Sequence, residues 1–208
     1  MAGVGEGARD VNRRWMHGQT GRTVRKIGCA EVISTGQVEW MVEISGQMIE
    51  LMTIGYEGLA LPQFLEKLRR CRVTMLVDIR ELPISRKPGF GKQALSAAVT
   101  GAGMKYEHIA QLGCPRDVRH DYRDDGDWEI YTRRFKAYLE TQAEALERLQ
   151  GWMEDERCCL LCFEEDFNFC HRSFVADRAA ELALQRVRIS HLTGPMKGRV
   201  VAPDLVPA

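Results

Sequence analysis

The stretch "MIELMTIGYEGLALPQFLEKLRRCRVTMLVDIR", residues 48–80, contains two continuous apolar runs separated by a segment with helical spacing. The first run, MIELMTIGY, includes a glycine near its end and is typical of a strand buried on both faces. From Leu61 to Leu68, apolar residues recur three and four positions apart, which predicts an amphipathic helix with Pro62 in its first turn. The second run, VTMLVDIR, predicts another buried strand. The stretch is therefore a β-α-β unit, whose strands are parallel and joined by a right-handed crossover.

Strand-like and helix-like segments continue to alternate through the rest of the chain. In order, the pattern predicts a loop over 83–92, a helix over 93–103, a strand around 106–109, a polar loop over 114–127, a helical region over about 128–154 with a break near Thr141, a strand over 158–163, a helix over 171–185 and a strand over 187–193. This alternation predicts a three-layer α/β domain, with a parallel-dominated, Rossmann-like sheet and helices on both faces.

Length and composition restrict the class of protein. The chain has 208 residues, enough for one domain, and its formal net charge of zero lacks the electrostatic footprint of a general nucleic-acid binder. No apolar stretch approaches the roughly 20 residues that cross a bilayer, and the first residues lack the apolar core of a signal peptide. The seven cysteines are then expected to be reduced thiols, so the sequence predicts a cytoplasmic protein without a membrane partner.

The two ends of the chain differ from its centre. Residues 1–47 are predicted to be an N-terminal extension that is partly disordered, with a short hairpin around Thr35 and Gly36. Residues 48–194 are predicted to form the α/β domain, and the proline-rich residues 195–208 to form a loose tail.

Polar residues follow three of the predicted strands. Parallel α/β sheets bind ligands at the carboxyl ends of their strands, so these residues are expected to line one pocket. The candidate ligand-binding residues are Tyr56, Arg80, Ser85, Arg86 and Arg172, and the candidate catalytic residues are Asp78, Glu164, Cys170 and His171.

Each type of side chain indicates a role in such a pocket. Arg80 and Arg172 would bind an anion, while Asp78 or Glu164 would act as a general base or orient an arginine by an ion pair. Cys170 precedes a predicted helix, whose N-terminus favours a thiolate, so it is either a nucleophile or a small packing residue. His171 would carry protons.

The cysteines also raise the question of a metal site. Cys159 and Cys162 have CxxC spacing, but residues three apart in a strand point to opposite faces of the sheet. Without Cys159, the set Cys162, Cys170 and His171 falls short of the four ligands of a structural zinc site. The sequence therefore predicts no metal.

Four blocks of sequence are similar to a known family. They are "TIGYEG" at 53–58, "LVDIRELPISRKPGF" at 76–90, "GMKYEHIAQLG" at 103–113 and "LLCFEEDFNFCHR" at 160–172. In this order they resemble the family named domain of unknown function 488 (DUF488), over about residues 48–193. The family's pattern falls on Asp78, Arg80, Pro83, Ser85, Gly113, Cys162, Glu164, Cys170, His171 and Arg172. Where many relatives have two glycines, this chain has Gly113 followed by Cys114. The resemblance implies a compact α/β fold with a shared pocket, but no established reaction.

Three functions are compatible with these residues. The leading hypothesis is an enzyme that acts on a small anionic or nucleotide-like ligand, with no particular cofactor indicated. The alternative is a non-catalytic module that binds such a ligand, or nucleic acid, in the same basic pocket. The third is a structural metal-binding domain.

Overall fold

The computed structural model describes residues 48–194, and the predictions for residues 1–47, including the hairpin, and for 195–208 lie outside the described residues. The elements are β1 (Ile49–Gly55), α1 (Leu61–Arg70), β2 (Met75–Asp78), α2 (Lys92–Gly101), β3 (Lys105–His108), α3 (Arg116–Asp125), α4 (Trp128–Glu140), α5 (Ala143–Asp155), β4 (Cys158–Cys162), α6 (His171–Leu182) and β5 (Val187–His191). Short 3-10 turns occur at Ala110–Leu112 and Phe167–Phe169. Among these helices, none combines the length and apolarity needed to cross a bilayer.

Within residues 48–194, the strands form a single sheet in the order β3-β2-β4-β1-β5, and every neighbouring pair is parallel. The register places Gly55 beside Cys162 and Asp78 beside Leu161, so the ends of β1, β4 and β2 lie side by side. The predicted fold class is therefore confirmed.

Side chains alternate between the two faces of the sheet, as a strand requires. Leu51, Val77 and Leu160 pack with α3 to α6 on one face. Ile54, Leu76 and Leu161 pack with α1 and α2 on the other. These side chains are fully buried, and each contributes roughly 1.5–3 kcal/mol to folding relative to an exposed position.

This arrangement opens a crevice above the sheet. The chain leaves β4 towards α6 on one face, whereas the neighbouring strands β1 and β2 lead to α1 and α2 on the other face. In parallel sheets, loops that separate in this way leave room for a ligand at the strand ends.

The polar loop predicted over 114–127 is wrong, because most of it is helix α3. Only Val118 is buried in this helix, and Tyr122, one turn later, packs against the Trp128 ring. The remaining positions are largely charged, and Arg134 of α4 forms ion pairs with two aspartates of α3. Such a narrow apolar stripe is easily mistaken for a solvated loop. The predicted break near Thr141 is confirmed, since Thr141 follows the last residue of α4.

Candidate functional site

A cleft of about 690 Å³ lies at the carboxyl ends of β1, β2 and β4. The loops after these strands form one wall, and α3 with the start of α4 forms the other. Residues on its walls include Tyr56, Arg80, Glu81, Ser85, Arg86, Lys87, Cys114, Arg119, Tyr122, Arg123, Trp128, Tyr131, Cys162, Glu164, Phe169 and His171. A second concavity of about 510 Å³, between α4 and α6, is away from these strand ends and contains neither cysteine nor histidine.

The end of β2 carries a buried ion pair. Arg80 donates from Nε to Asp78 Oδ1 at 2.8 Å and from Nη2 to Asp78 Oδ2 at 2.5 Å. Its Nη1 also donates to the Tyr56 hydroxyl at 3.1 Å and to the Phe90 carbonyl at 2.8 Å. Tyr106 donates its hydroxyl to Asp78 Oδ2 at 2.6 Å. Burial lowers the pKa of Arg80, but Asp78 raises it by more, so the guanidinium remains charged. Asp78, which is 0% exposed, therefore orients Arg80 and has no access to a ligand.

The loop after β2 is fixed to the loop after β1. Ser85 Oγ accepts a hydrogen bond from the Lys87 amide at 3.1 Å. The Lys87 ammonium donates to the carbonyls of Tyr56 at 3.0 Å and Glu57 at 2.5 Å. Arg86 is exposed on the cleft wall and has no side-chain hydrogen-bond partner among residues 48–194. Lys87 thus positions the loop, while Arg86 remains accessible to a ligand.

A second cluster surrounds the turn between β4 and α6. Cys162 is the last residue of β4, Glu164 lies in the turn, and Cys170 and His171 lie at the start of α6. One donor atom from each of these four residues lies within 4.8 Å of every other. Glu164 Oε2 is 2.7 Å from Cys162 Sγ and 3.2 Å from Cys170 Sγ. Cys170 is the N-cap of α6, but its side chain caps no backbone amide, so the thiol is directed to the cluster.

The orientation of the His171 ring follows from its contacts. Its Nε2 lies 3.2 Å from the Ile79 carbonyl, which can only accept, so Nε2 carries a proton. Its Nδ1 lies 3.6 Å from Cys162 Sγ and 3.9 Å from Cys170 Sγ. Burial lowers the pKa of His171, but Cys170 and Glu164 raise it by more, so the pKa lies above its ordinary value.

The pKa values of the other titratable groups in the cluster depend on burial and on the neighbouring groups. Burial raises the pKa of the Cys162 thiol, and it raises the pKa of Cys170 well above the ordinary value. Burial also raises the pKa of Glu164, but the charge on His171 and the thiol hydrogen bonds outweigh it, so this pKa is lowered. In the protein alone, the cluster is a carboxylate held between neutral thiols and a histidine whose charged form this carboxylate favours.

Arg172 holds the backbone of the turn. Its guanidinium donates to the carbonyls of Glu164 at 2.6 Å and Glu165 at 2.8 Å, and to Thr53 Oγ1 at 3.3 Å. The side chain is 1% exposed and does not line the cleft. An ion pair between Arg172 and the Glu164 carboxylate was one expectation from the sequence, and the structure has the carbonyl contacts instead.

Gly55 allows this turn to approach the sheet. A Cβ atom at position 55 would lie 1.6 Å from the Glu164 carbonyl oxygen, which is incompatible with any side chain. The carbonyl that Arg172 holds therefore occupies the space that this glycine leaves open.

The sequence candidates divide into two groups. Six of them line the cleft, namely Tyr56, Arg80, Ser85, Arg86, Glu164 and His171. Asp78, Cys170 and Arg172 lie behind its wall and act on residues that line it.

Several cleft residues were not among the candidates. These are Cys162 and Cys114 and, from α3 and α4, Arg119, Tyr122, Arg123, Trp128 and Tyr131. The spacing of Val118 and Tyr122 was the one sequence signal for α3. Burial raises the pKa of the Cys114 thiol to about 11.

The family described as domain of unknown function DUF488 matches residues 60–179, and the chain belongs to this family. The match spans the elements from α1 to most of α6, including the whole Cys162 to His171 segment. No curated protein and no solved structure is significantly similar to the chain.

Proposed function

We propose that this member of the DUF488 family is an enzyme that acts on a small anionic, nucleotide-like ligand bound in the cleft at the strand ends. The observation that carries the proposal is that one cleft combines accessible guanidinium groups, an aromatic surface and a carboxylate–imidazole pair. These are the groups that would bind an anion, hold a planar ring and transfer protons.

Two arginines are available for the anion. Arg86 and Arg123 line the cleft from opposite walls, and neither has a side-chain partner among residues 48–194. By contrast, Arg119 is paired with Glu81 at 2.9 Å, and Arg80 is committed to Asp78. A guanidinium presents two parallel N–H donors, which match the oxygens of a phosphate or carboxylate. Arg86 and Arg123 are therefore the proposed anion-binding residues, and Arg80 and Ser85 also line the cleft.

The wall formed by α3 and the start of α4 offers a surface for a planar ring. The Trp128 and Tyr131 rings stack with centroids 4.7 Å apart and an interplanar angle of 13°. Tyr122 packs its ring against Trp128 at 5.5 Å, and Phe169 lies 5.3 Å from Trp128. Stacking of a base on an aromatic side chain contributes about 1–3 kcal/mol. This surface supports a ligand that carries a ring as well as a charge.

The chemical groups lie at the base of the cleft. Glu164, whose pKa is lowered, is the proposed proton acceptor, and His171, whose pKa is raised, is the proposed proton carrier. Both thiols of the cluster are almost fully buried, at 3% exposed for Cys162 and 1% for Cys170, but only Cys162 lines the cleft. A nucleophilic role therefore falls to Cys162 more readily than to Cys170.

The proposal is tested by measuring ligand binding calorimetrically with inorganic phosphate, adenosine monophosphate and guanosine monophosphate. We expect the nucleotides to bind more tightly than phosphate, because only they reach the aromatic surface. Replacing Arg86 and Arg123 together by glutamine should weaken nucleotide binding by about tenfold or more, which corresponds to roughly 1.4 kcal/mol.

Arg133→Gln is the matched control, because Arg133 is an exposed arginine of α4 outside the cleft. Equal weakening by Arg133→Gln, or no binding of any of the three probes, would contradict the proposal. Binding without turnover in any nucleotide hydrolysis or transfer assay would favour the non-catalytic module instead.

A further inference from the structure

We propose that Cys162, Glu164, Cys170 and His171 form a binding site for a thiophilic divalent cation, for which Zn²⁺ is the best chemical match. From the sequence, this segment offers three ligands, namely Cys162, Cys170 and His171. The structure adds the Glu164 carboxylate as a fourth donor, while Cys159 faces the α1 and α2 side of the sheet. With a cation bound, Cys162, Glu164 and His171 would serve as its ligands and would neither transfer protons nor attack a substrate. The metal-bound form therefore keeps only the anion-binding arginines and the aromatic surface of the proposed function.

The nitrogen–sulfur separations in this cluster are close to those of a tetrahedral site. With Zn–S and Zn–N bonds of about 2.3 Å and 2.0 Å, a sulfur and a nitrogen ligand lie about 3.5 Å apart. The Nδ1 atom of His171 lies 3.6 Å from Cys162 Sγ and 3.9 Å from Cys170 Sγ. The carboxylate oxygen of Glu164 is nearer to the sulfurs, at 2.7 and 3.2 Å, because it accepts hydrogen bonds from both thiols. Binding of a cation would require this carboxylate to move away from the sulfurs, towards the cleft that its side chain borders.

The hydrogen bond of His171 is of the kind that metal-ligating histidines make. Such histidines almost always donate their second ring N–H to a carboxylate, a backbone carbonyl or water, which fixes the tautomer. Here the proton on Nε2 points to the Ile79 carbonyl at 3.2 Å, so in the neutral ring the lone pair of Nδ1 faces the two sulfurs. The contact with Ile79 is independent of the other three donors, because it comes from the segment after β2.

The types of donor select the cation. Two sulfurs, one imidazole nitrogen and one carboxylate oxygen suit Zn²⁺, whereas Mg²⁺ and Ca²⁺ require sites made of oxygen ligands. A dication would also compensate the negative charge of the buried carboxylate. Its charge would in addition allow both buried thiols to ionise. Binding should therefore release protons from Cys162 and Cys170.

The backbone that carries these donors is held in place before any ligand binds. Arg172 holds the carbonyls of Glu164 and Glu165, and Gly55 gives the turn its space against the sheet. Ser173 Oγ donates to the Phe167 carbonyl at 2.5 Å, which fixes the segment before Cys170. A preorganised backbone reduces the entropy lost when a cation is bound, so the affinity should be high.

The test uses the full-length chain, treated with a chelator and a thiol reductant and then dialysed under nitrogen. Titration with Co²⁺ should give thiolate-to-cobalt charge-transfer absorption and the visible bands of tetrahedral cobalt, saturating at about one ion per chain. Adding Zn²⁺ should abolish this absorption, and competition with a chromophoric chelator gives the zinc affinity. Cys162→Ser and His171→Gln should each weaken zinc binding roughly 100-fold or more.

Cys71→Ser is the control, because Cys71 is a half-buried thiol outside the cluster. It should leave the cobalt spectrum unchanged. Near-ultraviolet circular dichroism of each variant separates loss of the site from loss of the fold, and Glu164→Gln provides a milder change to the same site.

Three results would overturn the proposal. One is a folded wild-type chain that shows no cobalt absorption, and another is unchanged zinc affinity in both Cys162→Ser and His171→Gln. The third is rapid formation of a disulfide between Cys162 and Cys170 in air, with zinc giving no protection, which would identify the pair as a redox site. Nucleotide binding measured in chelator-treated protein tests the anion-binding arginines separately, so failure of one proposal does not imply failure of the other.

Discussion

Two clusters at the same edge of the sheet arise from the same sequence signal, a polar residue after a buried strand, yet they differ in how their charges are balanced. Around Asp78, both carboxylate oxygens accept hydrogen bonds from Arg80, and Tyr106 adds a further one. Around Glu164, no arginine or lysine of the described chain donates to the carboxylate, and its partners are two thiols.

The difference indicates which cluster is structural and which is chemical. A buried ion pair with satisfied hydrogen bonds holds its neighbours in one arrangement and has little left to offer a ligand. A buried carboxylate beside thiols and an imidazole is complete only when a proton, a cation or a substrate joins it, and such perturbed groups are concentrated at functional sites. Asp78 is thus interpreted as part of the scaffold and Glu164 as part of the site.

The substitution Asp78→Asn tests the difference between the two clusters most directly, because it keeps the shape of the side chain and removes its charge. The Arg80 guanidinium would be left buried beside a neutral amide, and breaking a buried pair in this way costs about 3–5 kcal/mol. We expect a loss of this size in the free energy of unfolding, measured by urea denaturation. Asp117→Asn is the control, since its ion pair with Arg134 is exposed and should contribute less than about 1 kcal/mol. Equal losses in the two variants would show that the Asp78 cluster is not a buried scaffold.

Arg172→Lys tests the contacts that join the turn carrying Glu164 to the sheet. A lysine keeps the charge but cannot donate to both the Glu164 and Glu165 carbonyls with the geometry of the guanidinium. We expect a loss of about 1–3 kcal/mol in the free energy of unfolding, since a buried acceptor loses its partner.

Arg157→Lys gives a matched comparison for this loss. Arg157 also donates to two carbonyls, those of Cys71 and Arg72, but its side chain is 43% exposed and water can replace the contacts. Its loss should stay below about 1 kcal/mol. If Arg172→Lys left stability intact and weakened nucleotide binding directly, Arg172 would be a ligand-binding residue, as one expectation from the sequence had it.

How far the sequence could predict these features depends on the physical origin of each. The central strands β1, β2 and β4 were predictable because buried strands are continuous apolar runs, as in the CCLLC stretch of β4. Helix α3 was not, because its buried side is limited to Val118 and the partly buried Tyr122 among charged residues. The positions of Asp78 and Glu164 were predictable for the same reason, because each residue lies at the end of an apolar run.

The directions of the side chains were beyond the sequence. Whether Arg172 faces the Glu164 carboxylate or its carbonyl depends on how the turn folds over Gly55, which no periodicity records. The pairing of Tyr106 with Asp78 likewise depends on the position of β3 beside β2. These contacts decide the roles of the residues, so the sequence located the site but could not assign each role within it.

Glu164→Gln is the counterpart of Asp78→Asn in the second cluster, and we expect it to have the smallest effect on stability. In chelator-treated protein at a pH where His171 is neutral, the amide oxygen can still accept from a thiol, and no arginine or lysine loses a partner. The change in the free energy of unfolding should therefore be about 1 kcal/mol or less, the net value of an ordinary hydrogen bond. The same urea denaturation measures it, beside Glu107→Gln on the exposed side of β3 as the control.

With zinc present, Glu164→Gln and Asp78→Asn should differ further in their effects on the free energy of unfolding. Wild-type protein gains stability in proportion to the logarithm of the zinc concentration over its dissociation constant, because the cation binds the folded chain in preference to the unfolded one. Glu164→Gln removes a charged ligand, so this gain should shrink, whereas Asp78→Asn should retain it once its own loss is subtracted. A Glu164→Gln loss as large as that of Asp78→Asn in the absence of metal would mean that Glu164 is a scaffold residue too. The distinction between the clusters would then rest on the thiols alone.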